Sequence, residues 1–239
     1  AAGASTRGGE GGAVTISAGN SQSASQSGGR VLISSGSSQQ DASGEIVIAT
    51  ADGSQSAQGS GAVSVRSGST AGGVSGTVSV RSGETQDSRA GSVVIAAGRS
   101  SMVDGVGGDS VLQSGSVTGA GSVGGSTIVK SGRGDAGSGS VSITTADAKL
   151  AGGESGRITM ASGSSTNGVS GEVVIGSGDS ATQAGRVMLS AGSSAASTGG
   201  DVVVVSGGGL SGSGVVSIGS AASGSTGASG KVVLSTGES

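Results

Sequence analysis

The sequence contains no cysteine, histidine, proline, phenylalanine, tyrosine or tryptophan. Each absence closes a class of function. Without cysteine there is no disulfide and no thiolate metal site, and cysteine usage says nothing about redox compartment. Without histidine, the usual general base, zinc ligand and pH switch are missing. Without aromatic rings, bases and sugars have no stacking platform. Charge is scarce as well: twelve Lys and Arg stand against fifteen Asp and Glu. That balance gives no basic footprint for nucleic acid. No apolar run approaches the roughly 18 residues needed to span a bilayer. The sequence starts at Ala1 in Gly/Ser-rich sequence with no visible signal peptide.

What is present is glycine, 54 of 239 residues, together with abundant serine. With so little charge, such a composition usually marks low-complexity or disordered sequence. The order of the residues argues otherwise, because Val and Ile recur at fixed places. The recurring unit is Gly-x-φ-x-φ-x-small-Gly, with φ mostly Val, Ile or Leu. It can be placed fifteen times, with opening glycines at 12, 29, 44, 61, 76, 91, 108, 125, 139, 156, 171, 185, 200, 214 and 230. Steps between them are 14 to 17 residues.

Within a repeat the apolar residues sit two apart, as in Val14/Ile16, Val31/Ile33, Ile46/Ile48, Val93/Ile95, Val173/Ile175 and Val232/Leu234. Two-residue spacing puts both on one face of a strand. The third inward position is small: Ala18, Ser35, Thr50, Ser67, Ser82, Ala97. Repeats 7 and 8 are weaker, with Ser110/Leu112 and Thr127/Val129. The connections, such as Ser37–Ser43 and Ser69–Ser75, carry turn chemistry. Gly supplies positive φ, and Ser, Asn or Asp bonds the local backbone.

These features predict an all-β parallel β-solenoid. Opening glycines of alternate repeats, 12, 44, 76, 108, 139 and 171, are 32, 32, 32, 31 and 32 apart. The preferred form is therefore a two-sheet coil of about 32 residues, in which repeat n bonds repeat n+2. Val14 then stacks near Ile46, and Val31 near Val63. A one-strand coil of about 15 residues is the alternative. Residues 1–239 form one array. Ala1–Gly12 resembles Ala96–Gly108, and Val232–Ser239 stops as a loop begins, so the expectation is a window on a longer array or filament with neither end capped.

The outward middle position is apolar in nine of fifteen repeats: Leu32, Val47, Val94, Val111, Ile128, Val174, Met188, Val203 and Val233. A lone strand in water has little use for them, so they form the candidate assembly surface. Other motifs carry less. Arg133-Gly134-Asp135 is an adhesion tripeptide in a loop, and chance suffices to produce it in a chain so rich in glycine. Ser229-Gly230-Lys231 fails as a phosphate loop, since Ser225 and Val232 occupy positions that need Gly and Ser/Thr. The acids Asp52, Asp104, Asp109, Asp147 and Asp179 do not recur at calcium-repeat spacing. Neither Asn20 nor Asn167 heads a sequon. No base is placed to activate serine, and Lys130, Lys149 and Lys231 lie in different repeats. No catalytic, cofactor or metal site is expected, and no cofactor.

The Ser69–Gly83 style of repeat, STAGGVSGTVSVRSG, resembles the Gly/Ser/Val tandem-repeat proteins of diatoms, related microalgae and their large viruses. The resemblance covers nearly the whole chain. It implies an extracellular or cell-surface structural polypeptide: a fibre, sheath or matrix element that stacks its β-coils. Its partners would be itself or other structural chains, with glycans possible on Ser and Thr. More distantly the chain is similar to solenoid ice-binding proteins, which display Thr-x-Thr ladders. The outward pairs here, Ala13/Thr15, Arg30/Leu32, Glu45/Val47 and Ala62/Ser64, do not form such a ladder; an ice- or mineral-surface binder is an alternative reading. An adhesin stalk is another.

Overall fold

The computed structural model describes residues 3–4, 10–53, 59–150 and 152–237. The expected strand remnant at Ala1-Ala2-Gly3 and the terminal Glu238-Ser239 therefore lie wholly or partly outside the described residues. The chain divides into two units, Ala1–Thr127 and Ile128–Ser239.

Among the described residues there is no helix and no strand. The parallel β-solenoid that the repeat predicts is not formed, in either its two-sheet or its one-strand version. Neither is the core it would enclose, for no hydrophobic residue among those described is buried. Where a ladder would join repeat n to repeat n+2, the main chain instead joins several repeats to the next by a single bond at the base of the loop between them. The physical reason lies in the repeat's own economy. Each repeat of about fifteen residues offers two inward aliphatics and several glycines, and glycine loses more conformational freedom on ordering than any other residue. Two aliphatic side chains are too few to draw a long glycine-rich coil over themselves.

In the first unit the amide N–H of Gly12 donates to the Gly3 carbonyl at 2.9 Å, Gly29 to Gly19 at 2.8 Å and Gly44 to Gly36 at 2.9 Å. Gly108 donates to Gly98 at 3.0 Å and Gly125 to Gly115 at 2.9 Å. In the second unit Gly139 donates to Gly132 at 2.9 Å, Gly200 to Gly192 at 2.9 Å and Gly214 to Gly207 at 2.8 Å. Each bond clips the glycine that ends one repeat to the glycine that opens the next. Elsewhere a hydroxyl does similar work: Ser177 Oγ donates to the Gly185 carbonyl at 2.8 Å. Beside the clip of repeat 8, the Ser114 and Thr127 hydroxyls share a hydrogen bond of 2.5 Å.

The clip explains why the repeat opens with glycine. A Cβ on Gly29 would meet the Ala18 Cβ at 3.1 Å, and one on Gly44 the Ser35 Cβ at 3.3 Å. At Gly76 against Ser67, Gly108 against Ala97, Gly171 against Ser162 and Gly230 against Ser220 the same pair of positions meets at an ordinary contact distance of 3.5 Å. The small third position and the next opening glycine are therefore one contact. The closing glycines are different, since a Cβ on Gly19, Gly36, Gly98 or Gly192 meets nothing within 4 Å.

A paired substitution tests this. Gly29→Ala places a methyl 3.2 Å from the Gly19 amide nitrogen, which is backbone and cannot swing away. It should cost about 1–3 kcal/mol and release the Gly29–Gly19 bond. Gly36→Ala enters open space and should keep its clip, gaining about 0.4–1 kcal/mol through the less flexible unfolded chain. Amide hydrogen exchange at residues 29 and 44 reads both. Equal protection of residue 29 in native and G29A chains would count against the packing described.

Loop interiors follow the turn chemistry read from the sequence. Ser38 Oγ accepts from the Asp41 amide at 3.0 Å, Ser165 Oγ from Gly168 at 3.0 Å and Ser194 Oγ from Ser197 at 2.9 Å. Main-chain turns close Met102 to Gly105 at 3.1 Å and Leu150 to Gly153 at 3.0 Å. Asp104 turns at φ 56°, a left-handed conformation that Asp tolerates better than most residues. Gly152 in the second turn has φ 80°.

Candidate functional site

The alternation in the sequence divides inward from outward aliphatics, and the structure does not keep that division. In repeats 2–6 and 9–15 the first inward residue is 46–58% exposed, Val216 and Val187 marking the limits. The second inward residue is 61–87% exposed, from Val204 to Leu234. The nine outward residues lie in the same range as the second, from Val233 at 66% to Val94 at 82%. The first inward residue, two positions beyond the opening glycine, is thus about half covered in these repeats, and the residue two further on is more exposed. Repeat 1 departs from this, with Val14 and Ile16 both 72% exposed.

Leu32, Val47, Val94 and Val111 are thus exposed in the first unit, and Ile128, Val174, Met188, Val203 and Val233 in the second. Val233 borders a cavity. It is an open groove of about 1010 Å³, lined by Leu189, Val202, Val233, Leu234, Ser235 and Thr236. Inward and outward residues of repeats 12, 13 and 15 share this one wall.

Two loops of the second unit have a common frame that sequence reading overlooked. Gly132-Arg133-Gly134-Asp135-Ala136-Gly137-Ser138-Gly139 and Gly207-Gly208-Gly209-Leu210-Ser211-Gly212-Ser213-Gly214 are both closed end to end by a main-chain clip. In each, the glycine at the third position crosses the glycine at the sixth. A Cβ on Gly134 would lie 2.5 Å from the Gly137 carbonyl oxygen, and one on Gly209 2.7 Å from that of Gly212. The signal was present as the shared spacing of four glycines. It is hard to see where glycine is everywhere.

Among the described residues, no three His, Cys, Asp or Glu side chains lie close enough to hold a metal ion. Asp52, Asp104, Asp109, Asp147, Asp179 and Lys231 are all exposed. The sequence has neither His nor Cys, the side chains that most often serve as base and nucleophile. No helix among the described residues is long and apolar enough to cross a membrane. Compared with protein-family models, with curated proteins and with solved structures, the chain matches none.

Proposed function

We propose that this chain is a structural repeat protein of an extracellular fibre, sheath or matrix, and that it works by associating with further copies of itself. One observation carries the reading. The accessible surface is 23579 Å² for a mass of 21.5 kDa. A compact monomer of this mass exposes roughly 9,000 Å², and its unfolded chain about 31,000 Å². The uncovered excess far outruns the 1,200–2,000 Å² or so that a stable interface buries. That surface is periodic, so a second copy presents the same aliphatic spacing to the first. The main-chain groups between the clips are likewise free to bond a neighbour. The numerous Ser and Thr hydroxyls give such a material a hydrated outer face and sites for glycans.

The extracellular placement rests on the resemblance to secreted Gly/Ser/Val repeat proteins and on the absence of catalytic chemistry. The test is sedimentation velocity over a wide concentration range. The expected result is a shift from a slowly sedimenting, expanded particle to large species that do not stop at a dimer. An open association of this kind follows when a repeated surface meets itself without closing. A single species of compact-monomer size at every concentration would overturn the reading.

A further inference from the structure

The glycine frame accounts for everything in the Gly132–Gly139 loop except its two charges. Its ends are held by the Gly139–Gly132 bond at 2.9 Å. Its tip requires glycine at 134, because of the Gly137 carbonyl. The sister loop Gly207–Gly214 closes in the same way at 2.8 Å with Gly208 and Leu210 at the corresponding places. Closing the frame therefore needs neither Arg133 nor Asp135. Both are exposed, in a chain with only 11% charged residues.

We propose that the clipped Arg133-Gly134-Asp135 loop is an adhesion site for a cell-surface receptor protein whose binding cleft holds a divalent cation next to an acidic pocket. The chemistry of the two side chains selects that partner. A carboxylate is a hard oxygen ligand that completes the shell of a bound divalent cation. A guanidinium is a planar fork that engages a carboxylate with two parallel hydrogen bonds. With one glycine between them, the two charges sit on one short, closed tip instead of sampling the conformations of a free peptide. Preorganisation of this kind lowers the ordering cost of binding. The proposal shares the extracellular placement proposed above but not the self-association, since a single loop on a single chain suffices.

The experiment immobilises a purified receptor ectodomain of the class that binds linear Arg-Gly-Asp peptides through Mn²⁺. The dilute full chain is passed over it with Mn²⁺ and then with EDTA. Expected is saturable binding that EDTA abolishes and that a linear Arg-Gly-Asp peptide competes. Asp135→Glu, which keeps the charge but lengthens the arm, and Arg133→Ala should each weaken binding by about tenfold or more, as the loss of one charge-assisted contact requires. Gly139→Pro keeps the tripeptide but removes the N–H that closes the loop. It should weaken binding several-fold, towards the linear peptide. Gly209→Ala, in the sister loop, should leave it unchanged. Absence of saturable binding, or binding that survives EDTA or D135E, overturns the proposal. Sedimentation of the same variants as the native chain sediments keeps this outcome separate from that of self-association.

Discussion

Replacing Leu32, Val47, Val94 and Val111 together by Asp should hold the chain monomeric at concentrations where, on the proposed function, the native sequence forms large species. These four outward residues are 70–82% exposed, so in the isolated chain they lose almost nothing by becoming polar. Between chains the change is large. Covering a Val or Leu side chain fully contributes about 1.5–3 kcal/mol, so four together supply on the order of 6–12 kcal/mol per contact. The variant removes that contribution and sets four carboxylates where a neighbour would have to desolvate them. Each factor of ten in the association constant needs only about 1.4 kcal/mol, so the loss should exceed several orders of magnitude. The control is Asp at Ser64 and Ser79, which occupy the same outward position in repeats that are polar there. That variant adds charge without deleting aliphatic surface and should still assemble. Sedimentation velocity reads all three. If the fourfold variant assembles as the native chain does, the apolar rows are not what joins the copies.

Guanidinium titration of the dilute chain should show no cooperative transition, whereas material assembled as proposed should show one. The slope of stability against denaturant scales with the surface newly exposed on unfolding. At 23579 Å² the chain already exposes about three quarters of the roughly 31,000 Å² of its unfolded form. Little surface remains for denaturant to uncover, and what remains is spread over separate loop clips. The clips share no core, so they open one by one and give a shallow drift in the far-ultraviolet signal. In the assembly the aliphatic rows are covered, and dissociation exposes them together. A midpoint that rises with protein concentration follows by mass action. A steep, concentration-independent transition in the dilute chain would mean that one copy closes a core by itself, and would overturn the architecture described above.

The repeat itself was fully legible. Its phase, the turn chemistry of Ser38, Ser165 and Ser194, and the small third position of each repeat were all readable from spacing and residue type. The step from alternation to a packed solenoid was not. Val31 and Ile33 do sit two apart, and an extended segment does put them on one side. Nothing in that spacing brings cover to them. Of the nine residues expected to meet a partner, all are exposed. Their supposed opposites, Ile48 or Leu234, are exposed to the same degree, so the sequence marked more apolar surface than the inward and outward labels could sort.

The sequence by itself determined which chemistries are absent, where each repeat begins, and that glycine and a small residue recur at the repeat boundaries. Residue type and spacing act locally, and these are local matters. The tertiary structure alone decided which of the boundary glycines is indispensable. Gly29 faces Ala18 across a closed loop while Gly36 faces open space, though both are written as glycine next to serine or another glycine. It also decided that, where the main chain bonds between repeats among the described residues, repeat n meets repeat n+1 at a single clip rather than repeat n+2 along a ladder. In the same way it placed Arg133-Gly134-Asp135 within a loop closed by the Gly139–Gly132 bond. The physical reason is common to all three. Burial, close approach and loop closure depend on what comes near a residue through space, and a chain whose repeats are nearly identical offers many partners with almost equal local preference.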